Sequence, residues 1–405
     1  MSLESLATWA GFAISTILLI LVARKTLWGA LASAAFVLGV FTVAPRTIGL
    51  LFLAVGTTLD NFFLALSFAI IPVVGKLLNE AGYMTSLVSS IKISRASFNM
   101  ISPALVGLLP VPGGALISAP MIDETASDLP AQYRCASNVW FRHVLFIVYP
   151  VSSTIILSTQ VAQVNRYLAI ACLIPFLVIA IILGYVFFLK KVEGKLESTE
   201  TYPRNMVIRP LIILAITPAI DLLLRELAFP LAGIEFENLS LMIGTTCSLI
   251  LAIAWSEMKL SKFLKVTRAA HPWNFFLFIL MMFFYLEVFN ASGIDGLISS
   301  YNLHPTILLC MLGFAFGFIT GRMNVPLLII IPIFLNDSAL PSMTLLPFAV
   351  VYMSVYVGYV ISPVHPCLSV TLEFFKVSYI KTAKVMIPPG AILLALTFIL
   401  SFFIR

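Results

Sequence analysis

Apolar residues run along the chain in blocks about as long as a bilayer is thick, separated by short polar loops. A helix needs about 20 such residues to cross the hydrocarbon. Ten blocks meet that demand, at roughly 6–22, 27–44, 57–79, 139–163, 167–189, 208–228, 239–255, 274–291, 343–366 and 385–404. Two more, at 97–125 and 306–340, carry Pro and Gly at their middles and predict re-entrant helical hairpins instead of simple spans. Segment 190–207 is the one long polar stretch and reads as a cytoplasmic linker between halves 1–189 and 208–405.

Composition agrees with this pattern. The 405 residues are 60% hydrophobic and 10% charged, with a mean hydropathy of +1.06. Soluble domains carry about a quarter charged residues, so most of this length cannot face water. The net charge of +6 does not mark a nucleic-acid binder, because the basic residues sit in loops between apolar blocks. With the N-terminus outside, 17 of them, from Arg24 to Lys384, fall in cytoplasmic loops, and only Arg46, Arg166, Arg225 and Arg405 fall outside. Short cytoplasmic loops hold the Lys and Arg, so a multi-pass protein of the plasma membrane is expected in that orientation. Glu4 before the first block and Arg24-Lys25 after it predict a retained span, not a cleaved signal. The five cysteines, at 135, 172, 247, 310 and 367, form no CxxC and no Cys/His cluster in the sequence. No zinc site, disulfide framework or other cofactor is expected from them.

The two halves resemble each other. Asn61-Phe-Phe-Leu returns as Asn274-Phe-Phe-Leu, 213 residues later, and Tyr149-Pro-Val-Ser matches Ser362-Pro-Val-His at the same offset. The interruption at Pro110-Val-Pro-Gly-Gly aligns with Gly321-Arg-Met-Asn-Val-Pro. Five spans per half is an odd number, so the second repeat must be inverted. The predicted fold is therefore an all-α polytopic membrane protein of two inverted repeats, each about five transmembrane helices plus one hairpin, with broken helices at the midplane. Secondary transporters place substrate at such a repeat interface.

Four breaks are predicted: Pro110–Gly114, Tyr149–Thr154, Gly321–Pro326 and Ser362–Ser369. The N-terminal ends of half-helices there offer free N–H groups and partial positive charge to an anion. Pro112, Gly113, Gly114, Ser152, Ser153, Arg322, Asn324, Ser362 and His365 are the candidate substrate ligands. Arg322 leads them, because a buried guanidinium is costly unless it is paired or used; a pair with Asp337 is the structural alternative. Thr154, Thr320 and Ser369 are candidate ligands for a coupling ion such as Na⁺, while Arg142 and His143 are secondary candidates. Arg142 alternatively snorkels to the headgroups. Ser118 is a further hydroxyl, and Lys76 and Glu287, 211 residues apart, suggest a scaffold ion pair or oligomer contact.

Leu109-Pro-Val-Pro-Gly-Gly-Ala-Leu-Ile-Ser-Ala-Pro120, Asn138-Val-Trp-Phe-Arg-His143 and Ile361-Ser-Pro-Val-His-Pro-Cys-Leu-Ser369 together resemble an uncharacterised family of prokaryotic integral membrane proteins. That family is grouped in the ion transporter superfamily with gluconate permeases and divalent-anion:sodium symporters. The resemblance implies a scaffold domain, a moving transport domain, a homodimer and an elevator motion. The sodium-dependent dicarboxylate carriers have Ser-Asn-Thr motifs at their tips, where this chain has Pro-Val-Pro-Gly-Gly and Gly-Arg-Met-Asn.

The expected function is secondary active transport of a small anion, an organic carboxylate, coupled to Na⁺ or H⁺. A channel is the first alternative. The second is an intramembrane enzyme acting on lipid through His143, His365 and Glu373. No GxxxxGK[ST] phosphate loop is present, which disfavours an ATP-driven pump.

Overall fold

The computed structural model of the protein describes residues 3–23, 25–90, 93–108, 115–195, 202–234, 236–299, 304–337 and 341–404. Regular structure among them is helical, with no strand beyond one isolated bridge between Ser94 and Lys195. Eight of the described helices are long and apolar enough to cross a membrane, and the protein is an all-α, multi-pass membrane protein.

The helices form two compact units, Met1–Tyr83 with Ile208–Asn302, and Met84–Val207 with Leu303–Arg405. Each unit thus takes one stretch from either half of the chain. In the first, Leu59–Glu80 packs on Glu237–Ser256 and Pro272–Ala291, and Leu27–Thr42 packs on Pro272–Ala291 and Leu3–Ala23. Asp60 closes one end of this bundle, accepting from the Asn238 backbone N–H at 2.9 Å and from Asn238 Nδ2 at 2.5 Å. An acceptor there satisfies a donor that the first turn of Glu237–Ser256 leaves unpaired. Lys76 Nζ donates to the Ala269 carbonyl at 3.2 Å, and Glu287 is exposed. No ion pair joins the two among the described residues, contrary to the first of the two readings offered for them.

Two short helices were not legible as spans. Pro45–Thr57 precedes the third span, with Pro at the first helical turn and Leu50, Phe52 and Leu53 exposed. Leu260–Ala269 puts Lys262, Lys265 and Arg268 on a helix whose Leu260 and Leu264 are exposed, the pattern of a helix lying in a membrane interface.

The second unit is built around Leu345–Ile361, in which every residue from Pro347 to Ile361 except Tyr359 is buried. It crosses Gly313–Thr320 at two glycines. A Cβ on Gly358 would lie 2.2 Å from the Phe314 carbonyl oxygen, and one on Gly317 would lie 2.4 Å from that of Val355. Small residues let helix backbones approach in this way where no hydrophobic effect between helices can drive packing. The blocks at 97–125 and 306–340 are each two helices, Arg95–Gly107 with Ala115–Thr125, and Thr306–Thr320 with Asn324–Asp337. The block at 139–163 is not one span: it ends as Ala131–Val144, turns through 145–152, and restarts as Ser153–Ala162. The block at 343–366 likewise divides into Leu345–Ile361 and Pro366–Phe374. Tyr149-Pro150 and Ser362-Pro363 lie in these two gaps, where proline withholds a donor and disfavours helix in the residue before it.

The glycine crossing yields a direct prediction. Gly358→Ala and Gly317→Ala should each destabilise the detergent-solubilised protein by about 1–3 kcal/mol through overpacking. Gly49→Ala, where the added carbon meets nothing within 4 Å, should stay within about 0.5 kcal/mol of the parent. Equal melting temperatures for all three variants would show that the two helices do not touch at these glycines.

Candidate functional site

Three of the four predicted breaks lie among the described residues, all in the second unit; the first hairpin tip, with Pro112, Gly113 and Gly114, lies outside them. At Ser152 the side chain caps the restarted helix, accepting from the Ile155 N–H at 3.2 Å. One residue on, the partly buried Ser153 opens that helix. The Thr154 hydroxyl donates to Asn324 Oδ1 at 2.9 Å, tying this break to the second hairpin tip.

The second tip is held against the last break. Gly321 ends its helix in the left-handed conformation, at φ 58°, and a Cβ there would lie 2.8 Å from Val364 C and 2.9 Å from His365 N. Only glycine combines that φ with that approach. Ser362 Oγ donates to the Phe318 carbonyl at 2.5 Å and accepts from the Val364 N–H at 3.3 Å. Thr320 Oγ1 donates to Phe316 O at 2.7 Å and accepts from the Arg322 N–H at 3.3 Å. Ser369 Oγ donates back to the His365 carbonyl at 3.2 Å. These hydroxyls hold the broken backbone in place.

Around this scaffold the fold gathers a cationic and aromatic cluster. The His143 and His365 rings are 4.6 Å apart, Tyr359 lies 4.1 Å from His365 and 5.2 Å from His143 by ring centroids. Arg142 is 3% exposed, and its Nε and Nη1 atoms are buried without a hydrogen-bond partner. Arg142 and Arg322 both lie within electrostatic reach of Tyr359, and Arg142 of both histidines. Neither arginine forms an ion pair among the described residues. Asp337, the carboxylate considered for Arg322, has its side chain outside them. Arg142 is buried within the protein instead of reaching out to headgroups, and its backbone carbonyl packs so close to Gly107 that no side chain would fit there.

The Arg142-His143 pair, Arg322 and His365, from three separate stretches of the chain, are therefore neighbours. Asn324 and Thr154 bond each other at the side of the second tip. Ser118 serves a buried strut, donating to Asn138 Oδ1 at 2.6 Å while Asn138 Nδ2 donates to Thr371 Oγ1 at 3.2 Å. Glu373, considered with the two histidines, is exposed. The donor that joins them is Cys367, one ligand atom of each of the three residues lying within 4.8 Å of the others. Sequence spacing hides this group, because His143 lies more than 200 residues from the other two. Tyr359 carried a readable signal: with Tyr352 and Tyr356 it falls at i, i+4 and i+7 of one helix.

A tertiary arrangement with two guanidiniums, two imidazoles and no paired carboxylate favours negative charge. The first turns of Ser153–Ala162 and Pro366–Phe374 add N–H groups without helical partners.

No functionally curated protein matches the sequence. The structure is similar to the crystal structure of the YdaH transporter of Alcanivorax borkumensis, which is described as having an unusual topology. The TM-score is 0.62 at 14% identity, over 96% of this chain and 98% of that one, so the two share a fold. The family model for proteins of unknown function designated DUF401 matches residues 12–404, and the chain belongs to that family.

Proposed function

We propose that the protein is a secondary transporter of a small anion, an organic carboxylate, held by Arg142 and Arg322 beside the broken helix at His365. The observation that carries this reading is the buried, unpartnered guanidinium of Arg142. Burying a charge is costly unless it is paired and hydrogen-bonded, so a site that leaves it open is suited to an anion supplied from outside. The likeness of the fold to that of a transporter supports carriage across the membrane. Two inverted repeats, an elevator motion, a homodimer, an outside N-terminus and a plasma-membrane location complete the proposal. They rest on the internal sequence match, the basic loops and the family resemblance. Na⁺ or H⁺ would accompany the anion, lowering the cost of moving its charge; Thr154, Thr320 and Ser369 are the proposed oxygen ligands for Na⁺.

A screen of purified protein against small carboxylates and inorganic oxyanions tests the site. A ligand of the folded state raises the melting temperature by mass action. One anion class should stabilise the parent, and Arg322→Gln and Arg142→Lys should each weaken its apparent affinity by about tenfold or more, the scale of a lost hydrogen bond to a charge. An anion shift that both variants retain in full would remove the arginines from the site.

Counterflow in proteoliposomes separates carrier from channel. Unlabelled anion inside the vesicles should drive a transient overshoot of labelled anion against its gradient, and imposing Na⁺ or proton gradients in turn should identify the coupling ion. Simple equilibration with no overshoot would favour the channel.

A further inference from the structure

We propose that His143, His365 and Cys367 form a binding site for a thiophilic transition-metal cation, with Zn²⁺ as its probe. The three donors come from the two elements that meet at the last break. His143 stands in the final turn of Ala131–Val144, His365 is the residue before Pro366–Phe374, and Cys367 is in that helix's first turn. One ligand atom from each lies within 4.8 Å of the other two. A tetrahedral zinc site with Zn–N near 2.0–2.1 Å and Zn–S near 2.3 Å sets its donors roughly 3.3–3.7 Å apart. The group therefore has to contract by about an ångström, within the reach of side-chain rotation.

Three features point to a ligand beyond mere packing. His143 Nδ1 lies 2.6 Å from the Val139 carbonyl oxygen. A carbonyl only accepts, so Nδ1 carries the proton and Nε2 presents its lone pair. A backbone carbonyl fixing the far nitrogen is the usual support of a metal-binding histidine. His365 is fully buried, and neither of its ring nitrogens has a well-aligned hydrogen-bond partner, although the Val360 carbonyl approaches the ring. A buried imidazole with no well-aligned partner on either nitrogen is a costly arrangement that one coordinate bond would relieve. Cys367 adds a partly buried sulfur in the first turn of Pro366–Phe374, beside the two imidazoles.

Two imidazoles and one thiolate select zinc or copper over magnesium or calcium. Three protein donors leave the fourth position for water or a small anion, and the nearby Arg142 draws negative charge there. The metal site does not require that any anion be transported.

The test uses full-length protein purified without a polyhistidine tag, stripped with a chelator and dialysed against Zn²⁺ or Co²⁺. About one Zn²⁺ per chain should remain bound, and Co²⁺ should give a thiolate-to-metal charge-transfer band. Cys367→Ser should abolish that band, and His365→Ala should weaken Zn²⁺ binding by at least about tenfold. His304→Ala, a histidine outside the group, should change neither. Because the buried variants are capable of misfolding, the parent protein carries a second readout. Site-resolved alkylation of Cys367 should slow on adding Zn²⁺ and recover with chelator, while alkylation of Cys172 stays constant. Folded parent that retains no Zn²⁺, a Co²⁺ complex without the thiolate band, or Zn²⁺ that leaves Cys367 alkylation unchanged would each overturn the site.

Discussion

A backbone that leaves helical geometry inside hydrocarbon must find partners for the groups it frees, since no water is there to take them. The second compact unit meets that constraint at each described break. Ser152 caps one restarted helix, Ser362 bonds across to the Phe318 carbonyl, and Thr154 reaches Asn324 on the hairpin tip. Gly321 lets the tip come within contact of Val364 and His365. The rest of the unit follows from holding these pieces together. The buried helix Leu345–Ile361 and its glycine crossing bring the break at Ser362 beside the tip, and the Asn138 strut fixes Pro366–Phe374 to Ala131–Val144.

Once the breaks are fixed, charge becomes the dominant consideration. Arg142 is carried on a helix whose backbone is pressed against Gly107, and its side chain is buried. Burial without a carboxylate partner would ordinarily select against such a residue. In the proposed anion carrier the same location would serve an anion that enters and leaves, because the cost of the uncompensated guanidinium is recovered on binding. The two imidazoles and the thiol of Cys367, close to Tyr359, add donors of a different hardness at the same break.

Much of this was legible in the sequence. Block length gave the membrane class, and the prolines at Pro150 and Pro363 located the breaks in blocks that otherwise read as single spans. Helix Pro45–Thr57 was lost because its thirteen residues are too short for a span, and Leu260–Ala269 because its basic residues read as loop. Lys76 and Glu287 form no ion pair with each other among the described residues, because equivalent positions in two repeats need not touch. Within the site, Arg322 stood out as a costly residue at a hairpin tip and His365 as a histidine between two prolines in the last break. The meeting of Arg142, His143, Tyr359 and Cys367 was not readable, since it depends on how Ala131–Val144 packs against residues more than 200 positions away. Cys367 in particular looked like an ordinary buried small residue.

Anomalous diffraction from crystals grown with a brominated short-chain carboxylate would test the anion site most directly. The bromine peak should fall beside the Arg142 and Arg322 guanidiniums, close to the first turn of Pro366–Phe374. A peak elsewhere in the protein, or none at a concentration that stabilises it, would contradict an anion site at this break.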